Sequence, residues 1–414
     1  MFEWYRELAP AGRRTFWACF GGYALDAFDV QIYSFILPIL IGLKFIDATE
    51  AGLLATTTLV LSAFGGWFAG MLSDRVGRVR TLQITVIWFA FFTFLSGFAQ
   101  NFEQLMVTRG LMGLGFGGEW AAGSVLIGEV IAARHRGKAV GFVQGSWSVG
   151  WAAAALVATL LFTTLDNSLG WRILFFIGIA PAFVTFWIRR VVPEPEVFAT
   201  AKASGAPKPS LVEIFRPALL WTTIRASLLA LGAQGGYYAI TTWLPRFLSA
   251  ERHITILDSL GYISVVIAGS FTGYVTSAYL GDAIGRRTNF MLFAIGSAAI
   301  VLIYTQISVS NELMLVLGFP LGFFASGIFS GMGPVMTELF PTEVRGTGQG
   351  FCYNVGRGLA AFFPTLVGVA SASMSLGIAI GMFAAAAYGL VIVAALLLPE
   401  TQGQSLFSLA EAEG

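Results

Sequence analysis

Long apolar runs separated by short polar breaks dominate this chain. A run of about 20 apolar residues is enough for a helix to cross the hydrocarbon core of a bilayer. Twelve such runs can be read, at 15–43, 51–72, 81–99, 103–129, 136–164, 171–189, 219–248, 257–280, 288–307, 312–338, 345–372 and 375–397. The one long polar break, RVVPEPEVFATAKASGAPKPSLVEIFRP at 190–217, divides them six and six. The expected fold is an all-α integral membrane protein of twelve transmembrane helices. Its N-terminal half would occupy 1–189, a linker 190–217 and its C-terminal half 218–414.

The two halves repeat. Gly70-Met-Leu-Ser-Asp74-Arg75-Val-Gly77-Arg78 follows the second run, and Ala278-Tyr-Leu-Gly-Asp282-Ala-Ile-Gly285-Arg286-Arg287 follows the eighth, an offset of 282 − 74 = 208. Glu129, Arg136-Gly137 and Gly141 recur as Glu338, Arg345-Gly346 and Gly350, an offset of 338 − 129 = 209. Pro38 and Pro245 match at 207. Two parallel six-helix repeats are the plan of a transporter with its substrate site at the bilayer midplane between them.

Charge fixes the orientation. With the N-terminus inside, 17 of the 24 Lys and Arg fall on inner segments, so both termini and the central loop are expected to be cytoplasmic. The leader MFEWYRELAPAGRR precedes a full spanning run, so it is not read as a cleavable signal. Only 11% of the 414 residues are charged, against about a quarter in soluble domains, and the net charge of +1 gives no basic face for nucleic acid. Cys19 and Cys352 lie in apolar runs and His135 and His253 near loops, so no metal site or disulfide framework is expected. The glycine run Arg109-Gly-Leu-Met-Gly-Leu-Gly-Phe-Gly-Gly118 follows no strand, so it reads as helix packing rather than a nucleotide loop.

On GMLSDRVGR, its second copy and the twelve-helix plan, the chain resembles the major facilitator superfamily. Asp26-Ala-Phe-Asp29 is similar to a first-helix motif of two proton-symporter families, one for aromatic acids and one for sialic acid and short monocarboxylates. Gly117-Gly118-Glu119-Trp120 is closer to the second, and Asn354-Val-Gly356-Arg357-Gly358 resembles a Gly-Arg element of organic-acid symporters. The resemblance implies alternating access driven by the proton gradient, with no cofactor. It also implies a gating role for Asp74, Arg75, Arg78, Asp282, Arg286 and Arg287, with Glu129–Arg136 and Glu338–Arg345 as further pairs.

Asp26 and Asp29 share one face of the first helix, three residues apart. A charge at the bilayer centre costs roughly 2.5–3.5 kcal/mol even on insertion scales, so such groups are functional by default. At the repeat offsets, Asp26, Asp29, Arg109, Glu119 and Arg357 meet Ala233, Gly236, Gly318, Ile328 and Ser148, so none has a charged counterpart. Asp26, Asp29 and Glu119 are the candidate proton-coupling groups. Arg357 and Arg109 are candidates for a substrate carboxylate, with a permanent pair to an acid as the alternative. Gln31, Tyr33, Gln144, Gln234, Tyr237, Tyr238 and Asn354 are candidate cavity-lining groups. The expected function is import of a small organic anion (aromatic carboxylate, sialic acid or monocarboxylate) with protons, by a non-enzymatic monomer in a bacterial inner membrane. A proton-coupled efflux antiporter and an uncoupled facilitator are the alternatives.

Overall fold

The computed structural model describes residues 3–180, 182–183, 212–253 and 256–406. These residues form helices and no strands. Among the described residues, the N-terminal half holds α1 (Glu3–Glu7), α2 (Pro10–Gly42), α3 (Ala48–Val76), α4 (Arg78–Ser96), α5 (Phe102–Val130), α6 (Arg136–Thr164) and α7 (Asn167–Ile177). The C-terminal half consists of α8 (Pro217–Thr241), α9 (Leu244–Ala250), α10 (Ile256–Ala283), α11 (Arg286–Gln306), α12 (Asn311–Leu339), α13 (Arg345–Ala360), α14 (Phe363–Ala370) and α15 (Leu376–Leu397). Most of the 190–217 segment and the end of the sixth run lie outside the described residues.

The seventh and eleventh runs are each two helices rather than one. Pro245 and Pro364 stand in the first turns of α9 and α14. Proline has no N–H and is best accommodated in a first turn, where these two stand as the chain restarts, whereas α12 carries Pro320 and Pro334 within one continuous helix. Eight described helices are long and apolar enough to cross a membrane. α5, α8 and α13 are not among them. Two of these carry Arg109, Glu119 and Arg357, so the polar residues that weaken the apolar pattern are the candidates for chemistry.

The repeat is visible in backbone geometry. Gly77 ends α3 with φ 124° and Gly285 precedes α11 with φ 93°. This left-handed region favours glycine, which explains the shared Asp-x-x-Gly-Arg spacing. Side-chain oxygens cap helix N-termini at matching places: Asn101 accepts from Gln104 N–H on α5, and Ser310 from Leu313 N–H on α12.

Within the halves, α3 packs on α5, α2 on α6, α10 on α12 and α8 on α15. Between them, α3 meets α13 and α6 meets α10, so the interface has the same pseudo-two-fold pattern. Glycine permits the close approach. A Cβ on Gly70 would strike the Gly346 carbonyl, and one on Gly141 would strike Ser330 Oγ. The glycine run of α5 does the same work, since side chains on Gly113 and Gly117 would strike the Thr58 and Ser62 carbonyls of α3.

Candidate functional site

At the end of the molecule carrying the α3–α4 and α11 turns, the halves are bolted together by a buried polar network. Glu129, at the end of α5, accepts two bonds from Arg78, both 3.1 Å, and one of 2.7 Å from Arg345 of the other half. Its counterpart Glu338 accepts from Arg286 at 3.2 and 3.0 Å and from Arg136 of the opposite half at 3.1 Å. The expected pairs Glu129–Arg136 and Glu338–Arg345 are therefore exchanged between the halves. The reason is geometric. Arg136 Nε donates to the Gly128 carbonyl and Arg345 Nε to the Thr337 carbonyl, closing the end of the preceding helix. This aims each guanidinium tip across the interface.

The aspartates cross too. Asp74 accepts from the Gly346 and Thr347 amides at 3.0 and 2.6 Å, and Asp282 from the Lys138 amide at 3.0 Å. Each carboxylate thus caps the first turn of the opposite half's helix, where the helix dipole favours an anion. Each also holds the arginine four residues on, Arg78 at 2.9 Å and Arg286 at 2.6 Å. Arg75 is exposed on α3. Arg287 stays within its own half, donating to the Ala395 and Leu396 carbonyls. Trp4 and Gln404 join the same region: the Trp4 indole donates to the Tyr279 hydroxyl, and Arg136 to the Gln404 carbonyl.

Toward the middle of the molecule lie the five charges without repeat partners. Asp26, Asp29, Arg109, Glu119 and Arg357 are all between 0% and 3% exposed. None of the five forms an ion pair with another described residue, so the permanent-pair alternative finds no contact to support it. They divide into two groups. Inside the N-terminal half, Asp29 Oδ2 meets the Thr93 hydroxyl at 2.5 Å. Arg109 lies nearby with its guanidinium 4.9 Å from the Tyr33 ring centroid and 5.5 Å from that of Phe175. Its Nε and Nη1 have no hydrogen-bond partner. The sequence places Arg109 near the outer end of its helix, yet its head is buried rather than turned out to water.

The second group spans both halves. Glu119 of α5 is the acid nearest Asp26 of α2, and neither Asp26 oxygen finds a donor. Arg357 of α13 stacks 4.5 Å over Phe116 and 5.0 Å over Tyr353. Its Nε and Nη1 are buried and unpartnered. Tyr23 and Tyr238 complete the phenols around it. One turn back from Arg357, Tyr353 stacks flat on Trp120 of the other half with centroids 3.6 Å apart.

This architecture agrees with what similar proteins show. The model of the Major Facilitator Superfamily matches residues 19–278 and 263–413. The chain belongs to this superfamily. It is 43% identical over 413 residues to a protein of Cupriavidus pinatubonensis named "Probable 4-methylmuconolactone transporter", covering 100% of this chain and 96% of that one. It is 32% identical to the cis,cis-muconate transport protein of Acinetobacter baylyi, covering 91% and 92% of the two chains. Among solved structures, the proton:xylose symporter XylE aligns with TM-score 0.80 at 19% identity over 97% of this chain and 98% of that one, a likeness of fold. The molecule is thus a multi-pass membrane transport protein of the Major Facilitator Superfamily, not an enzyme.

Within this superfamily fold, the remaining candidates take distinct places. Gln144 accepts from the Trp120 indole at 3.1 Å and donates to the Phe329 carbonyl at 3.2 Å, tying the halves together. Asn354 donates to the carbonyls of Gly350 and, across the interface, Gly117. Gln234 donates to the Tyr353 carbonyl at 2.8 Å. All three amides therefore hold helices, although Gln234 and Asn354 each keep one unpartnered oxygen. Tyr237 and Tyr238 are half-buried, with Tyr237 edge-on to Phe329, and Gln31 is half-buried on α2. Sequence reasoning passed over Thr93, Phe116 and Tyr353. Tyr353 stands four residues before Arg357, the spacing that puts two side chains on one helical face, and that signal was readable.

Proposed function

We propose that this protein imports a small organic carboxylate together with protons, by alternating access of its two six-helix halves. The observation that carries this is Arg357, a buried guanidinium between aromatic rings at the interface of the halves, with Nε and Nη1 lacking a hydrogen-bond partner. A cation so placed suits an anionic partner, and a planar fork suits a carboxylate. The rings of Phe116 and Tyr353 suit an apolar or conjugated body attached to it. The printed names of the relatives, a methylmuconolactone and a muconate transporter, support the organic-acid class.

In this reading Asp26, Asp29 and Glu119 take up protons on the outer side and return them within. Arg109 acts on Asp29 and steers anions inward. Tyr33, Gln31, Tyr237 and Tyr238 line the path, while Gln144, Gln234 and Asn354 hold the walls in place. The bolted end is the cytoplasmic one, in keeping with the Lys and Arg bias, and its network is the gate that must open for release. The 190–217 segment is proposed as the cytoplasmic linker, and the membrane as a bacterial inner membrane.

The test is uptake into proteoliposomes under an imposed pH gradient, with labelled 4-methylmuconolactone, cis,cis-muconate, benzoate, lactate and sialic acid. Accumulation of at least one acid that rises with the inward proton gradient is expected. Uptake indifferent to the gradient would leave a facilitator, and gradient-driven efflux an antiporter.

A further inference from the structure

The three buried acids belong to two separate centres. Asp29 is held by Thr93 of α4 and faces Arg109, wholly within the N-terminal half. Asp26 turns to Glu119 of α5. Glu119 Oε1 lies against α2 at Gly22, one turn from Asp26, where a Cβ would come within 3.2 Å of it. Both Asp26 oxygens and Glu119 Oε2 are buried without a donor. Around this pair stand Asp29, Tyr23 and Cys19 on α2, Arg357 and Tyr353 on α13, and Trp120, Ser124 and Gln144 beside Glu119, and no described ion pair joins any of them to it. Two carboxylates side by side are both acceptors. They repel as ions, and they bond only if one proton lies between them.

From this juxtaposition we infer that Asp26 and Glu119 share one proton, distinct from the proton carried at Asp29, so that each transport cycle moves two protons. The inference rests on the symport reading above. The pair stands beside Arg357, so a substrate carboxylate and the shared proton occupy neighbouring positions. A small cavity lined by Glu119, Tyr23, Trp120, Ser124 and Gln144 continues from it toward the bolted end. On opening there, the proton leaves the carboxyl pair for water in that cavity, while Arg357 of the opposite half draws away from the pair as the halves part. Arg357 then loses its anion to the same side.

The measurement is the balance point of transport in proteoliposomes, with voltage held at zero by potassium and valinomycin and labelled 4-methylmuconolactone as probe. At zero voltage one pH unit balances about a tenfold substrate ratio per coupled proton. The expected balance for a one-unit gradient is therefore about 100-fold. In Glu119→Gln the amide donates to Asp26, no proton is required there, and the balance should fall to about tenfold. Asp26→Asn should do the same. A wild-type balance of about tenfold, or a variant that keeps 100-fold, overturns the two-proton inference and leaves symport standing; no dependence on the gradient removes the symport reading itself. If a variant folds but does not transport, infrared difference spectra decide: Glu119→Gln must lose one of the wild type's two protonated-carboxyl signals and keep the one that Asp29→Asn removes, and a spectrum unchanged from wild type overturns the assignment.

Discussion

Arg357 shows how much depends on one side chain. Its guanidinium stands over the rings of Phe116 and Tyr353, 4.5 and 5.0 Å from their centroids, and has two unpartnered nitrogens. Lysine would keep the charge but lose the planar fork and the stacking. Arg357→Lys is therefore expected to raise KM for the carboxylate about tenfold, the loss of roughly one charge-assisted hydrogen bond, with Arg357→Ala inactive. Initial uptake rates over a substrate range check this, and an unchanged KM in the lysine variant would remove Arg357 from the binding site. Glycines matter at the same scale where the backbone demands them. Gly77, at φ 124° and ψ 156°, occupies a region that is essentially glycine-only. Gly77→Ala should destabilise the protein by about 1–3 kcal/mol, read as a lower melting temperature in detergent. These two residues differ in legibility. The glycine could be read from the repeated Asp-x-x-Gly-Arg, because local backbone geometry leaves a sequence mark. The aromatic bed of Arg357 comes half from another helix, Phe116 of α5, and no local pattern announces it.

The helix ends at the bolted side show where element-level reading succeeds and where it stops. The repeated Glu and Arg were legible as partners in one network, because two copies in one register are hard to obtain by chance. Their exchange was not, since the seven residues from Glu129 to Arg136 suggest an intra-half pair. What decides is that each arginine's Nε is already bonded to its own half's helix end, at Gly128 or Thr337. Thermodynamic cycles test the assignment. Removing one partner of a buried pair leaves an uncompensated charge and costs about 3–5 kcal/mol, so the single variants Glu129→Gln and Arg345→Met should each destabilise the closed state. Coupling of about 0.5–3 kcal/mol is expected for Glu129 with Arg345 and for Arg136 with Glu338. For Glu129 with Arg136 the coupling should be smaller. Melting temperatures of the single and double variants give these values, and equal coupling within and across the halves would contradict the exchange.

For the molecule as a whole, the apolar periodicity foretold the helices, but not how the halves meet, which is set by contacts hundreds of residues apart. The described cross-half bonds run from the bolted end to the Trp120–Tyr353 stack and the Asn354–Gly117 contact near the middle. The proposed cycle of alternating access must break the bonds at the bolted end together, because Arg78 joins Asp74 to Glu129 and both acids bond across to the opposite half. Locking one of them should therefore stop the cycle without touching the carboxylate site. Gly128 and Thr337 offer the place: a Cβ on Gly128 would lie 3.4 Å from that of Thr337, just under the 3.5–4.5 Å usual for a disulfide. The pair Gly128→Cys with Thr337→Cys, in a background with Cys19 and Cys352 replaced by alanine, should form a bond under mild oxidant that holds the bolted end shut. Substrate binding from the outer side should survive, while uptake into proteoliposomes should fall to background and return on reduction with dithiothreitol. Uptake that continued with the bond formed would mean that the halves do not separate at this end during transport.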